Sequence, residues 1–124
     1  MKALLLSIKP EYVERILQGT KKYEYRKRLA KESFDTIYIY STSPVMKVVG
    51  TVKVLGRLEH SPTALWEITK ANAGISRSKY RKYFKNCKKA YAYKLGEVTV
   101  FETPIDLETL GISVAPQSFS YIEE

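Results

Sequence analysis

Cysteine and histidine are nearly missing from this chain of 124 residues, which holds one of each, Cys87 and His60. A lone cysteine closes no internal disulfide. One Cys with one His cannot furnish the four ligands of a structural zinc site, and no metal or other cofactor is expected. No apolar run approaches the roughly 18 residues of a membrane span. The opening "MKALLLSIKPEY" lacks the long apolar region and small-residue cleavage site of a secretion signal. Internal repeats and low-complexity linkers are absent too. These absences predict a soluble, cytoplasmic protein without a membrane partner, with residues 1–124 forming a single domain of ordinary size. They leave oligomeric state open.

Acidic residues are absent from one long stretch. Between Arg77 and Lys94 there are eight basic residues (Arg77, Lys79, Arg81, Lys82, Lys85, Lys88, Lys89, Lys94) and no Asp or Glu. Basic residues are in turn absent after Lys94, where Glu97, Glu102, Asp106, Glu108, Glu123 and Glu124 follow. The net charge is +8, so the asymmetry predicts one strongly positive face. Solvated faces usually mix signs. The reading favoured is therefore a surface that docks on a phosphate backbone through Arg77, Arg81, Lys82, Lys85, Lys88 and Lys89. The plainer reading is an amphipathic helix with a solvated outer face.

With 44% hydrophobic residues the chain can bury a real core. Ala3 to Ile8 reads as a buried strand. Pro10 suits a first helical position, Val13, Ile16 and Leu17 follow at helical spacing, and Gly19 is a stop. Lys21 to Leu29 alternates like a strand. Thr36–Tyr40 and Val48–Leu55 are rich in β-branched and aromatic residues, joined by the turn formers Ser41–Pro44, with Gly50 marking a bulge or a close backbone approach. Ser61 and Pro62 open a helix that ends at Gly74. A second helix is expected from Ser78 to Lys89, with Tyr80, Tyr83, Phe84 and Cys87 on one stripe. Ala90–Glu102 returns to strand, broken at Gly96, and the end reads as a short helical turn followed by an irregular or extended segment. The order β-α-β-β-β-α-α-β-β has few helices between successive strands. It predicts an α+β fold built on a mixed or antiparallel sheet curled into a small β-barrel, with helices covering its openings.

The stretch "GTKKYEYRKRL", Gly19–Leu29, is the most distinctive. Strand alternation sends Tyr23 and Tyr25 one way and Glu24 and Arg26 the other. The tyrosines are expected in the barrel wall, Glu24 and Arg26 facing a cleft, and Lys21 at its mouth beside the Gly19 turn. An Arg held by a carboxylate presents a planar fork to phosphate or a base edge. Alternatively, Glu24 and Arg26 are only a charge pair on an exposed strand.

"SIKPEYVERILQGTKKYEYRKRL" resembles the start of an ASCH domain of the PUA-like superfamily, whose signature G-x-K-x-x-E-x-R is complete here as Gly19, Lys21, Glu24 and Arg26. "YSTSP", "VVGTVKV", "LW" and "PQSF" are similar to an ASCH subgroup described as transcriptional regulators. The resemblance implies a small β-barrel whose cleft binds RNA, another nucleic acid or a nucleotide-like ligand, with a regulatory role in transcription or translation. It adds Lys9, Ser41, Ser43, Gln117 and Ser118 as ligand-binding candidates. Some ASCH-like proteins resemble amidohydrolases that act on modified nucleosides, with a Lys and a Thr near the signature and a Glu elsewhere. Here Glu24 occupies the position three after Lys21, and Thr20 precedes the lysine. Other relatives are described as ribonucleases. A metal-independent hydrolase of RNA or a modified nucleoside, with Lys21 and Glu24 doing acid–base work, is therefore the alternative to a binding module.

Overall fold

The computed structural model describes residues 1–124. Its strands are β1 (Lys2–Ile8), β2 (Tyr23–Arg26), β3 (Thr36–Ser41), β4 (Lys47–His60), β5 (Ala90–Ile105) and β6 (Phe119–Glu123). The α-helices are α1 (Pro10–Gln18), α2 (Pro62–Thr69) and α3 (Arg77–Tyr83), with 3₁₀ turns at Lys70–Asn72 and Leu107–Leu110. The elements follow the expected order β-α-β-β-β-α-α as far as α3, but the two strands after it are not the expected halves of Ala90–Glu102: they are β5, unbroken, and β6, formed by the segment read as irregular or extended. One six-stranded mixed sheet runs β2-β5-β4-β3-β1-β6. β1 pairs in parallel with β3 and antiparallel with β6.

The apolar run of β1 is explained by burial on both faces. Leu4, Leu6 and Ile8 enter a cluster with Val13 and Ile16 of α1 and with Phe34, Tyr93 and Leu95. The alternate residues Ala3 and Leu5 enter a second cluster with Tyr40, Val48 and Ile122, over which Leu107, Leu110 and Ile112 pack. A third cluster joins Tyr25 of β2 and Ala90 and Ala92 of β5 to Leu65 of α2, Tyr80 of α3 and Phe84 just beyond it.

The sheet does not close by hydrogen bonds, since β2 and β6 are its edges. It is nevertheless curled, because Arg26 of β2 reaches across to β1. Its Nη2 donates to the Ser7 carbonyl at 3.0 Å and its Nη1 to Ser118 Oγ at 3.2 Å. A side chain bridges the gap that backbone pairing leaves open, and α1 packs within the curl.

Three elements are shorter than expected. α2 gives way after Thr69 to the 3₁₀ turn at Lys70–Asn72 instead of running on to Gly74. β2 ends at Arg26, and the chain then turns so that the Ala30 amide donates to Tyr93 Oη at 2.8 Å and the Ala30 carbonyl accepts from Arg57 at 2.6 Å. α3 ends at Tyr83, capped at its start by Ser76, whose Oγ accepts from the Lys79 amide at 3.2 Å. Phe84 is buried and Asn86 is left-handed with φ of 68°. Lys85, Lys88 and Lys89 therefore lie beyond the helix. The expected break at Gly96 is absent, and β5 runs through it. The pairing of β4 with β5 is irregular instead between Val48 and Gly50, Val52 and Val54, and Val54 and Gly56.

Candidate functional site

A cavity of about 470 Å³ opens where α1, β2 and α3 meet the end of β1. Its size falls in the range of small-molecule sites. Tyr12 of α1, Tyr25 of β2 and Tyr83 of α3 supply aromatic walls, and its charged lining is five cations (Lys9, Lys21, Arg26, Lys79, Lys82) against two carboxylates (Glu11, Glu24).

Lys21 is not at the mouth of this cleft but buried within it, 3% exposed. Just past the Gly19 stop, its amide donates to the Arg15 carbonyl at the end of α1, and the neighbouring Lys22 amide to the Asn72 carbonyl. That pairing draws the segment against the chain leaving α2. The Lys21 ammonium donates to the Ala73 carbonyl at 2.8 Å and sits 4.7 Å from the Tyr25 ring centre and 5.4 Å from that of Tyr12. Gly74 makes room, because a Cβ there would lie 2.3 Å from Lys21 Cβ. Burial lowers the Lys21 pKa to about 8, against the pull of the Glu24 carboxylate and with a further push from Arg15 and Arg26. The ammonium thus holds a proton that it gives up readily near neutral pH.

Glu24 and Arg26 point to the same side of β2, as alternation requires. Arg26 Nε donates to Glu24 Oε2 at 3.1 Å, and Nη2 makes an ion pair with the same oxygen at 2.9 Å. With its further bonds to Ser7 and Ser118, the guanidinium is fixed in plane and aimed along the cleft wall. Tyr25 serves both the wall and the core. Thr69 Oγ1 donates to the Leu65 carbonyl at 2.7 Å, so the Tyr25 hydroxyl donates to Thr69, at 2.6 Å. Burial pushes its pKa up to about 12, leaving it a neutral ring.

Of the residues singled out in sequence, Lys9, Lys21, Glu24, Arg26 and Lys82 come together around the cleft. Ser118 reaches it through Arg26. Gly19 acts as the left-handed helix stop, with φ of 84°. Ser41 is buried at the end of β3, paired with Ile8 and Lys47, and Ser43 and Gln117 are exposed in turns outside the lining. Arg77 and Arg81 line a different cavity. Lys85, Lys88 and Lys89 line neither, and Lys89 is paired with Glu59 at 2.9 Å. Sequence reasoning missed Tyr12 and Tyr83 as walls and Lys79 as part of the rim. The cue for Lys79 was present: it lies three residues before Lys82, on the same helical face.

Similarity to known proteins points one way. The ASCH domain family profile matches residues 6–100. A Zymomonas mobilis protein named ASCH domain-containing ribonuclease is 30% identical over 128 aligned residues, which is 99% of this chain and 86% of that protein. The crystal structure of ASCH from Zymomonas mobilis superposes with a TM-score of 0.90 at 28% identity, covering 98% of this chain and 88% of that one. A Ureaplasma parvum protein named ATP synthase subunit alpha is 28% identical over 121 residues, but this chain spans only 15% of its length, so the likeness is to one segment. The N-terminal domain of Staphylothermus marinus McrB shares the fold, with a TM-score of 0.54 at 15% identity over 87% of this chain and 78% of that one.

Proposed function

The chain belongs to the ASCH domain family, and from that premise we propose that it binds single-stranded RNA, seating one nucleotide in the cleft walled by Lys21, Glu24 and Arg26. One observation carries this: a cavity of about 470 Å³ in which five cations and two carboxylates surround three tyrosine rings. The exposed Tyr83 ring suits a stacked base, largely regardless of sequence, while Tyr25 and Tyr12 carry the Lys21 ammonium over their rings. The Arg26 fork suits a phosphate or a planar base edge, and Lys9, Lys79 and Lys82 at the rim suit the flanking phosphates. The name of the Zymomonas relative supports RNA as the ligand. Titration against mononucleosides, single-stranded RNA, duplex RNA and DNA tests the proposal. Single-stranded RNA should bind tightest, and Lys82→Glu should weaken it. Indifference to all four, or a preference for duplex, would overturn it.

A second reading is favoured by the lowered Lys21 pKa together with that relative's ribonuclease name. RNA can be cut by its own 2′-hydroxyl. The 2′-oxygen bonds to phosphorus, the bond from phosphorus to the 5′-oxygen breaks, and the products are a 2′,3′-cyclic phosphate and a 5′-hydroxyl. The 2′-hydroxyl proton leaves to water, and the 5′-oxygen takes one from an acid. On this reading Lys21 as ammonium supplies that proton, while Arg26 offsets charge on the phosphate. Cleavage by this route should fall as pH rises through about 8, and Lys21→Met should abolish it. A cyclic-phosphate product that persists in Lys21→Met would remove Lys21 from the chemistry and leave the binding proposal standing.

A further inference from the structure

Helix α3 has a cavity on each side. Lys79, Lys82 and Tyr83 face the cleft, while Arg77, Tyr80, Arg81 and Phe84 line a separate cavity of about 190 Å³ completed by Trp66 and Glu67 of α2. At 3.6 residues per turn the two sets project from nearly opposite sides of the helix, so α3 is a partition between the two spaces.

The second cavity is built around a cluster of aromatic rings packed at an angle to one another. Trp66 lies 4.8 Å from the Tyr80 ring centre at 46°, and Tyr80 lies 4.9 Å from Phe84. Tyr80 is held from behind by donating its hydroxyl to the Pro62 carbonyl at 2.7 Å. Trp66 itself is only half-buried, which leaves indole surface open on a rigid backing. Arg77 and Arg81 are exposed and, one helical turn apart, line the same cavity as these rings. Neither makes an ion pair, and the nearby Glu67 is taken up by Lys70 at 2.7 Å. An open aromatic face in one cavity with two guanidinium forks that make no ion pair fits one planar ring carrying a phosphate.

We propose that this cavity is a second nucleotide subsite, in which an RNA strand seated in the cleft crosses α3 and lays a further base on Trp66, its phosphates on Arg77 and Arg81. The inference rests on the RNA-binding reading above. It gives α3 a role of its own, as the ridge over which the strand passes. The helix is about 10–12 Å across with its side chains, so the bridge needs only a short run of nucleotides. Affinity should therefore rise in a step once a strand is long enough to span both cavities.

Trp66 is the only tryptophan in the chain, which makes its fluorescence a direct report on the subsite. The experiment titrates a ladder of oligouridylates, from the mononucleotide upwards, against wild-type protein, Trp66→Leu, Trp66→Phe and Arg77→Gln/Arg81→Gln, following anisotropy of labelled RNA and, in wild type, indole quenching. Quenching should set in with the same length that gives the affinity step. Trp66→Leu should erase the step, at a cost of about 5- to 150-fold for the longer strands, and leave mononucleotide binding unchanged. Trp66→Phe should restore much of it, which a loss of folding would not. The double arginine variant should weaken only strands beyond the step. Long strands that bind equally well to wild type and Trp66→Leu, without quenching, would overturn the second subsite alone. Absence of binding at every length would overturn it together with the RNA-binding reading.

Discussion

Lys21 spends part of the stability of the fold. Its ammonium is taken out of water and repaid by one carbonyl and two aromatic faces. Its pKa is lowered from 10.5 to about 8, so between those values the unfolded chain holds a proton that the folded chain has released. More protons bound in the unfolded state means stability rises with pH across that window. The difference in unfolding free energy between wild type and Lys21→Met, measured by denaturant titration, should thus grow in favour of wild type by about 3 kcal/mol from pH 8 to pH 10.5. A flat difference would show the amine to be solvated. Gly74, which admits this side chain, can be tested beside Gly19. Both are left-handed, with φ of 63° and 84°, but a Cβ on Gly19 meets nothing within 4 Å, whereas one on Gly74 meets Lys21. Gly19→Ala should cost about 1–2 kcal/mol for the backbone alone. Gly74→Ala should cost more, and the excess should shrink in a Lys21→Ala background.

At the scale of elements, the short strand β2 is held from both sides. Its backbone pairs with β5, and Arg26 ties it across the open side of the curl to Ser7 and Ser118. Removing Arg26 also leaves the Glu24 carboxylate without its partner in a site where both side chains are nearly buried. Arg26→Ala should therefore lower stability by about 3 kcal/mol. Lys27→Ala removes the same charge from an exposed position against the Tyr83 ring and should change stability by no more than about 0.5 kcal/mol. A double-mutant cycle with Glu24→Gln, read by chemical denaturation, separates the two causes. If the cost of Arg26→Ala persists undiminished beside Glu24→Gln, bridging of the sheet dominates. If it falls, the orphaned carboxylate does.

Over the whole molecule the charges are sorted by place. The acids of the C-terminal segment pair away from the cleft: Asp106 with Lys47, Glu123 with the N-terminal amine, and Glu124 with the Tyr38 hydroxyl. The cations around the cleft include Lys9 and Lys82, which have no acidic partner. An RNA strand that neutralises about four phosphates there should show log affinity falling against log salt with a slope of roughly −3. Lys82→Ala should make that slope shallower by about 0.7, while Lys47→Ala, already compensated by Asp106, should leave it alone. Equal effects of the two substitutions would mean that binding reads net charge and not the cleft.

Local rules carried the sequence reading where they suffice. The apolar run at Ala3–Ile8, Pro10 at the head of α1, the Gly19 stop, the Ser61 cap and the alternation of Tyr25 against Glu24 and Arg26 each depend on neighbours within a turn or a pleat. They determined the element order as far as α3 and identified the segment that forms the cleft wall. Contacts far apart in the chain decided the rest. Lys21 is buried because a carbonyl 52 residues on accepts its hydrogen bond and Gly74 leaves it room. Arg26 fixes the curl because Ser118, 92 residues away, lies beside Ser7 when β6 docks on β1. α3 stops early because burying Phe84 against Tyr25 and Tyr80 turns the chain, which takes Lys85, Lys88 and Lys89 off the helix. Periodicity says which side of an element is apolar, but only the packed sheet says what lies opposite that side. The cleft is made of such opposites, three elements meeting at one end of β1, and so its chemistry was settled by tertiary structure.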